Sequence, residues 1–289
     1  MALRANGIGR IAAGWILLSL VVLVGCGPKH PKPDVICPGK ASSEEALAAL
    51  QAHLDKVVPV AIRDTYCRVS YMDKENIRRS YRLPSFKIFL EPPHNIYMQG
   101  IPVGGPQGKV SMGSNQDEFW VDIRPEDSYW WGKWAEVSDA EQLQISPRIV
   151  LEALGLVDLD CPGQWELSHE GIYDILSLVN EANNITKRVF INACDYLPRK
   201  IEYLDADGET VVLVKLGVYK NFINEFSMPS RIETANYVDG EVTDSVELMI
   251  KEVNTKDYTE SFRKKYFTHR KPQGIANVYR ITKEGTFRE

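Results

Sequence analysis

Cys26 is the residue whose neighbours most clearly suggest chemistry. It ends the run Leu23-Val24-Gly25-Cys26, which closes an apolar stretch from Ile11 to Val24 preceded by Arg4 and Arg10. A small residue before a cysteine gives a peptidase access to the bond between them, and the cysteine sulfur is a nucleophile able to accept a diacylglyceryl group. Basic residues, a short apolar run and a small-residue cleavage site make up the layout of a secretory signal. The run is also shorter than the roughly 20 residues a helix needs to cross a hydrocarbon core of ~30 Å. Other chemistry finds no support in spacing. His30, His53, His94, His169 and His269 are scattered without ligand spacing, so no metal site is expected. No Gly-x-Ser-x-Gly elbow exists, and the loop Gly104 to Val110 contains a proline and lacks the Ser/Thr that follows the lysine of a phosphate-binding loop. The pairs Asp158/Asp160 and Asp205/Asp207 lie in turn-like sequence, where turn chemistry accounts for them. No catalytic residue and no cofactor are expected, and the chain does not read as an enzyme.

The tetrapeptide Leu23-Val24-Gly25-Cys26 resembles the bacterial lipobox. The resemblance implies removal of residues 1–25 as a signal peptide and lipid on Cys26. An uncleaved anchor, or an ordinary signal peptide with an incidental cysteine, are the alternatives, and each leaves the domain outside the cytoplasm. Several acyl chains together hold a protein to a membrane permanently, whereas one holds only marginally. Gly27 is not aspartate, which in lipoproteins of well-studied Gram-negative bacteria permits transfer to the outer membrane. An envelope location is expected, on the outer membrane and facing the periplasm.

Hydrophobic content of 44% and charged content of 25% are ordinary globular values. The net charge of −5 becomes more negative once Arg4 and Arg10 are lost, which argues against nucleic acid as a partner. The basic stretch Arg263-Lys264-Lys265 with His269-Arg270-Lys271 reads as a solvated end. With Cys26 acylated, Cys37, Cys67, Cys161 and Cys194 remain, an even number in a compartment that permits disulfides. Three pairings are open, as are buried thiols, and no Cys-x-x-Cys spacing points to zinc or redox chemistry. A monomer is expected.

These residues need elements to position them. Residues 26–43 are rich in Pro, Lys and Gly, as in Pro28-Lys29-His30-Pro31-Lys32-Pro33, and read as a spacer. From Ser43, Leu47, Leu50, Leu54 and Val57 or Val58 recur at helical spacing, with acids in the first turn and a stop before Pro59. Strand-like segments follow at about Ile62 to Met72, Arg78 to Leu90, Asn95 to Gly100, Lys109 to Met112, Glu118 to Ile123 and Tyr129 to Trp134. A second helix is expected from Ser146 as N-cap, with Pro147 at its first position, into Gly155. Strands resume at about Gln164 to Leu167, Ile172 to Asn180, Lys187 to Asn192, Arg199 to Leu204, Thr210 to Tyr219, Ser230 to Tyr237 and Val242 to Val253, with hairpin turns at Asp205 to Gly208 and Asp239-Gly240. A short helix over Tyr258 to Tyr266 opens residues 256–289, read as a tail. Many consecutive strands with few helices predict a mainly β, α+β fold: a large antiparallel sheet curled into an incomplete β-barrel, with helices covering its opening.

Asp195-Tyr196-Leu197-Pro198-Arg199-Lys200-Ile201-Glu202-Tyr203, then Asp207-Gly208 and Met228-Pro229-Ser230-Arg231-Ile232-Glu233, resemble the LolA/LolB-like lipoprotein-carrier superfamily, as does Phe86-Lys87-Ile88-Phe89-Leu90-Glu91-Pro92-Pro93. The resemblance spans most of residues 44–255. It implies a half-barrel lidded by helices around an apolar cavity that accepts acyl chains, with the helices near Ser43 and Ser146 as lids. The lipobox separates this chain from the soluble shuttles and aligns it with the anchored acceptor type. Gly100 to Gly108, with Ile101 and Val103, is a candidate for the acceptor's exposed apolar loop. A lipid, an acyl chain or an acylated protein is the ligand so implied. The other readings are an anchored assembly lipoprotein that binds envelope proteins, and a divergent hydrolase.

The aromatic pair Phe119-Trp120 and the run Tyr129-Trp130-Trp131-Gly132-Lys133-Trp134 are candidates for lining that cavity. Strand alternation places Trp130 and Trp134 on one face and Tyr129 and Trp131 on the other. Either set could instead be ordinary filling of the barrel.

Overall fold

The computed structural model describes residues 37–72, 77–104, 107–137, 147–223, 226–270 and 273–289. Cys26, Leu23, Val24, Gly25 and the expected cap Ser146 lie outside the described residues. Helix α1, Ser43–Leu54, begins where the Ser42 hydroxyl accepts from the Glu45 amide and the Glu45 carboxylate accepts from the Ala41 amide, so two donors at the helix start are satisfied. It buries Ala46 and Leu50 against the sheet.

The strands are β1 (Val60–Met72), β2 (Arg78–Pro84), β3 (Lys87–Glu91), β4 (Asn95–Gly100), β5 (Val110–Ser114), β6 (Glu118–Ile123) and β7 (Ser128–Lys133), followed by helix α2 (Pro147–Ala153). Then come β8 (Gln164–Glu170), β9 (Tyr173–Val179), β10 (Ile185–Asn192), β11 (Pro198–Leu204), β12 (Thr210–Ile223), β13 (Phe226–Val238) and β14 (Glu241–Thr255). Helix α3 (Glu260–Tyr266), β15 (Asn277–Thr282) and β16 (Gly285–Arg288) complete the chain. The sixteen strands of the described residues form one sheet, in the order β16-β15-β7-β6-β5-β4-β3-β1-β14-β13-β12-β11-β10-β9-β8, with β2 paired to β1. The sheet curls without closing, and the expected mainly β architecture is what the chain adopts. Strand β1 joins its halves: Val60 to Ile62 pair with Leu90 to Ile88 of β3, while Val60 to Ser70 pair with Thr255 to Ser245 of β14.

Two differences from the sequence reading matter for the site. The single strand expected from Arg78 to Leu90 is broken at Ser85, which takes a positive φ of 56°, so that β2 stays with β1 while β3 turns into the first half of the sheet. The segment expected as a tail belongs to the sheet. Strand β15 runs parallel to β7, from Asn277 opposite Ser128 to Ile281 opposite Gly132, and β16 pairs with β15. Arg263, read as part of a solvated end, makes a two-pronged ion pair with Glu91.

Two apolar clusters divide the sheet's faces. The inner face packs Ile62, Ile88, Leu90, Ile96, Leu176, Ile191 and Ile201 beneath α1 and α2, with Leu50 of α1 and Leu154, just after α2, fully buried. The outer face carries Ala61, Phe89, Tyr97, Trp120 and Tyr129, sealed by Tyr258 and Phe267 on either side of α3. Each fully buried side chain of this kind contributes roughly 1.5–3 kcal/mol, so the C-terminal segment is held by a core of its own.

Candidate functional site

A cavity of about 350 Å³ opens at the mouth of the curled sheet. The C-terminal end of α1 supplies Gln51, Leu54 and Asp55. The β3–β4 turn supplies Pro92, Pro93 and His94, and the β5–β6 turn Ser114 to Gln116. Trp134 closes one side, and α2 with the segment after it gives Arg148, Leu151, Glu152 and Leu156 to Asp160. The two helices expected as lids therefore both border the opening. Its wall is apolar at Leu54, Val57, Leu151, Leu156, Val157 and Leu159 and polar toward the rim. Deeper inside the sheet lie the buried apolar side chains of the inner cluster.

Behind that wall lies a buried ionic cluster. Lys187 Nζ donates to Glu152 Oε1 at 3.0 Å, with the two side chains only 4% and 1% exposed. It also donates to the Asp158 carbonyl at 3.1 Å, approaches Cys161 Sγ at 3.4 Å and lies 5.2 Å from the centre of the Trp165 ring. Glu152 further accepts from the Tyr203 hydroxyl and, at 3.1 Å, from the Asp158 amide. Burial acts to lower the Lys187 pKa, but the Glu152 carboxylate, the Cys161 sulfur and Asp158 outweigh it, so the ammonium is held above its ordinary value. Burial first, then Glu152, push the Tyr203 phenol well up. Burial likewise takes the Cys161 thiol to about 11 despite the nearby Lys187. The cluster pins α2 and residues 156–161 to β10. At the rim, Arg148 pairs with Asp158 at 3.6 Å.

Sequence reasoning passed over Glu152 and Lys187, although each carries a readable signal. Glu152 is the charge in an otherwise apolar stretch from Ile149 to Leu154, and Lys187 shares the inward register of β10 with Val189 and Ile191. A charge at a core-facing position on each of two elements implies a buried pair, because an unpaired buried charge is too costly to keep.

The six aromatic candidates part company. Trp134 lines the cavity and contacts Phe119, with ring centroids 4.5 Å apart. Phe119 faces inward opposite Gly132, where a Cβ would fall 2.8 Å from its ring. Trp130 shares that face, opposite Val121, and stacks on Tyr279 at 4.3 Å. Trp120, Tyr129 and Trp131 face outward, where they surround His269 at centroid distances of 5.9, 5.7 and 4.9 Å. Trp120 lies flat across the neighbouring strand because residue 113 is glycine, where a Cβ would fall 2.3 Å from the ring.

Of the four cysteines, Cys37 and Cys194 form a disulfide; Cys67 and Cys161 are free, with Cys67 buried. The bond fixes the end of the expected spacer to the β10–β11 turn, and the Lys40 amide adds a 2.9 Å hydrogen bond to Asp174. In the loop after β4, Ile101 and Val103 are 64% and 61% exposed, and the Val103 amide donates to the Arg82 carbonyl at 2.9 Å. The Asp205 carboxylate accepts from the amides of Asp207 and Glu209, a closed turn. Among the described residues no group of three or more His, Cys, Asp or Glu side chains could hold a metal ion.

The chain is similar to the crystal structure of a LolA superfamily protein. That protein, from Nitrosomonas europaea, is 12% identical, covers 77% of this chain and 97% of its own, and superposes with a TM-score of 0.49. A domain from Vibrio parahaemolyticus named for outer membrane lipoprotein sorting is 14% identical over 76% of this chain and 96% of its own, with a TM-score of 0.47. A DUF1329 family protein from Desulfovibrio piger is 10% identical over 76% and 95%, with a TM-score of 0.50. At these identities the likeness speaks to the fold alone. No family model and no curated protein matches the sequence.

Proposed function

We infer that this chain is an envelope lipoprotein, anchored through lipid on Cys26 after removal of residues 1–25, whose domain receives an acyl chain or an acylated protein at the mouth of its half-barrel. The observation that carries this reading is the cavity of about 350 Å³ between the end of α1 and α2. It is at the small end of the range for ligand sites, with Leu54, Leu151, Leu156, Val157 and Leu159 to receive methylenes and a polar rim to receive a head group. A volume of this size holds the first part of a chain. Deeper entry requires the lid formed by α2 and residues 155–161 to lift from the packed interior. Binding and release, not bond-making, is the chemistry such a wall performs.

The test is native mass spectrometry of the protein beginning at Gly27, produced in a bacterial periplasm, before and after addition of a diacylated lipopeptide. Because Trp130 stacks on Tyr279 away from the cavity, the informative substitution is at the wall. Bound acyl ligand that is lost in Leu156→Lys, with the fold intact by circular dichroism, supports the reading. A clean apo mass with no uptake refutes it. A second reading, an anchored assembly protein that binds envelope partners through protein surface, is favoured by the exposed Ile101 and Val103.

A further inference from the structure

We propose that the cavity mouth selects cargo by charge, taking an acylated peptide whose residues next to the lipid are basic and discriminating against the same peptide with acidic residues there. The proposal rests on the acyl-binding reading above and adds the class of head group. Four carboxylates border the opening: Asp55, Glu152, Asp158 and Asp160. Two are already answered by the protein. Lys187 sits on Glu152 at 3.0 Å and Arg148 on Asp158 at 3.6 Å. Asp55 and Asp160 have no cation paired with them among the described residues. Asp55 accepts only the neutral amide of Gln51, at 2.7 Å, and Asp160 is held by its backbone amide, which donates to Asp158 at 3.1 Å. Both are exposed and both line the cavity from different segments, Asp55 at the end of α1 and Asp160 at the end of the segment after α2.

An acyl chain lying on Leu54, Leu156 and Leu159 would therefore bring its polar end between two carboxylates that lack an internal partner, beside a cavity wall of low polarability that concentrates their field. A lysine-rich stretch neutralises them; an acidic one meets like charge. The chain itself carries a segment of the favoured chemistry, since Cys26 is followed by Lys29, His30 and Lys32 before the first acid at Asp34. A second copy's N-terminus has the character required of the cargo. Exposed charges are screened over about 8 Å at physiological ionic strength, so the preference must weaken as salt is added.

The experiment uses the full lipidated protein in phosphatidylcholine vesicles, which carry no net surface charge. Two diazirine-bearing diacylated peptides of sequence 26–35 are offered, one native and one with glutamate at the positions of Lys29 and Lys32, and crosslinks are mapped by mass spectrometry. The expected result is a roughly tenfold higher yield on cavity-wall peptides for the lysine form at low salt. The ratio should fall to within about twofold in Asp55→Asn/Asp160→Asn and stay unchanged in Asp207→Asn/Glu241→Gln, which removes the same charge at residues that do not line the cavity. Equal wall crosslinking by both peptides in the unmodified protein overturns the charge selection while leaving acyl binding standing. Absence of wall crosslinks with either peptide overturns both.

Discussion

Replacing Lys187 by methionine removes the cation from a carboxylate that is 1% exposed, with little change in side-chain volume. Stripping one partner from a buried ion pair costs about 3–5 kcal/mol, because the other charge stays in a medium that solvates it poorly. The lost donors to the Asp158 carbonyl and the lost contact with Trp165 act in the same direction. In Lys187→Met/Glu152→Gln the single carboxamide oxygen can accept from the Asp158 amide while the NH2 group donates to the Tyr203 hydroxyl oxygen, and no uncompensated charge is left, so the double variant should stand within about 1–2 kcal/mol of the parent. The pair should thus show a coupling of several kcal/mol in a double-mutant cycle, measured by urea unfolding with tryptophan fluorescence on the protein beginning at Gly27. Because the Lys187 pKa is raised, its stabilisation is complete below the unfolded value of about 10.4 and fades only as the pH climbs through the folded value, so a cycle run at pH 7 reads it whole. A cost below about 1 kcal/mol for Lys187→Met, or additive single and double variants, would refute the claim that this cluster pins the lid.

Three further outcomes follow from other parts of the structure. Burial, only partly offset by Glu118, lowers the pKa of His269, so its neutral form is the one that folds: stability should be full above pH ~6.5 and fall as the pH drops, and His269→Gln should flatten thermal stability between pH 7 and 5. The Cys37–Cys194 bond closes a loop with a sequence separation of 157, for which chain entropy gives about 5 kcal/mol; Cys37→Ser should shift the urea midpoint by a corresponding amount, and an unchanged midpoint would mean the bond is absent in the folded protein. Ending the chain at Lys256 uncovers Phe89, Tyr97, Trp120 and Tyr129, so the truncated protein should aggregate or bind the dye ANS strongly, whereas a well-behaved monomer would show that the C-terminal segment is dispensable.

How far the fold could be read from residues depended on whether one face of an element stays wet. Helix α1 was legible from its acidic first turn and apolar spacing, and most strands from alternation between turn residues, because in each case side chains sort by face. Alternation along β7 correctly separates Trp130 from Tyr129 and Trp131, but it could not say which face is inward. Tyr258, Phe262, Tyr266, Phe267, Ile275 and Val278 pack on the outer face, so the rings of β7 on both sides are at least half-buried, and the tail's own strands are only partly buried, with little contrast to detect. The pairing of Cys37 with Cys194 joins segments far apart in sequence, which no local pattern encodes. The cavity itself is assembled from five separate segments, so its members are not recognisable from any one of them, and only Trp134 of the six aromatic candidates lines it.

The most direct measurement for the central claim is the site of contact with an acyl chain. A diacylated lipopeptide with a diazirine near the start of one chain should, on irradiation with the full protein, label peptides containing Leu54, Leu151 and Leu156 to Leu159, with the label lost in Leu156→Lys. Labelling confined to the Ile101–Val103 loop or to the outer face, or none at all, would contradict a cargo site at the mouth and leave a filled scaffold that meets its partners through its surface.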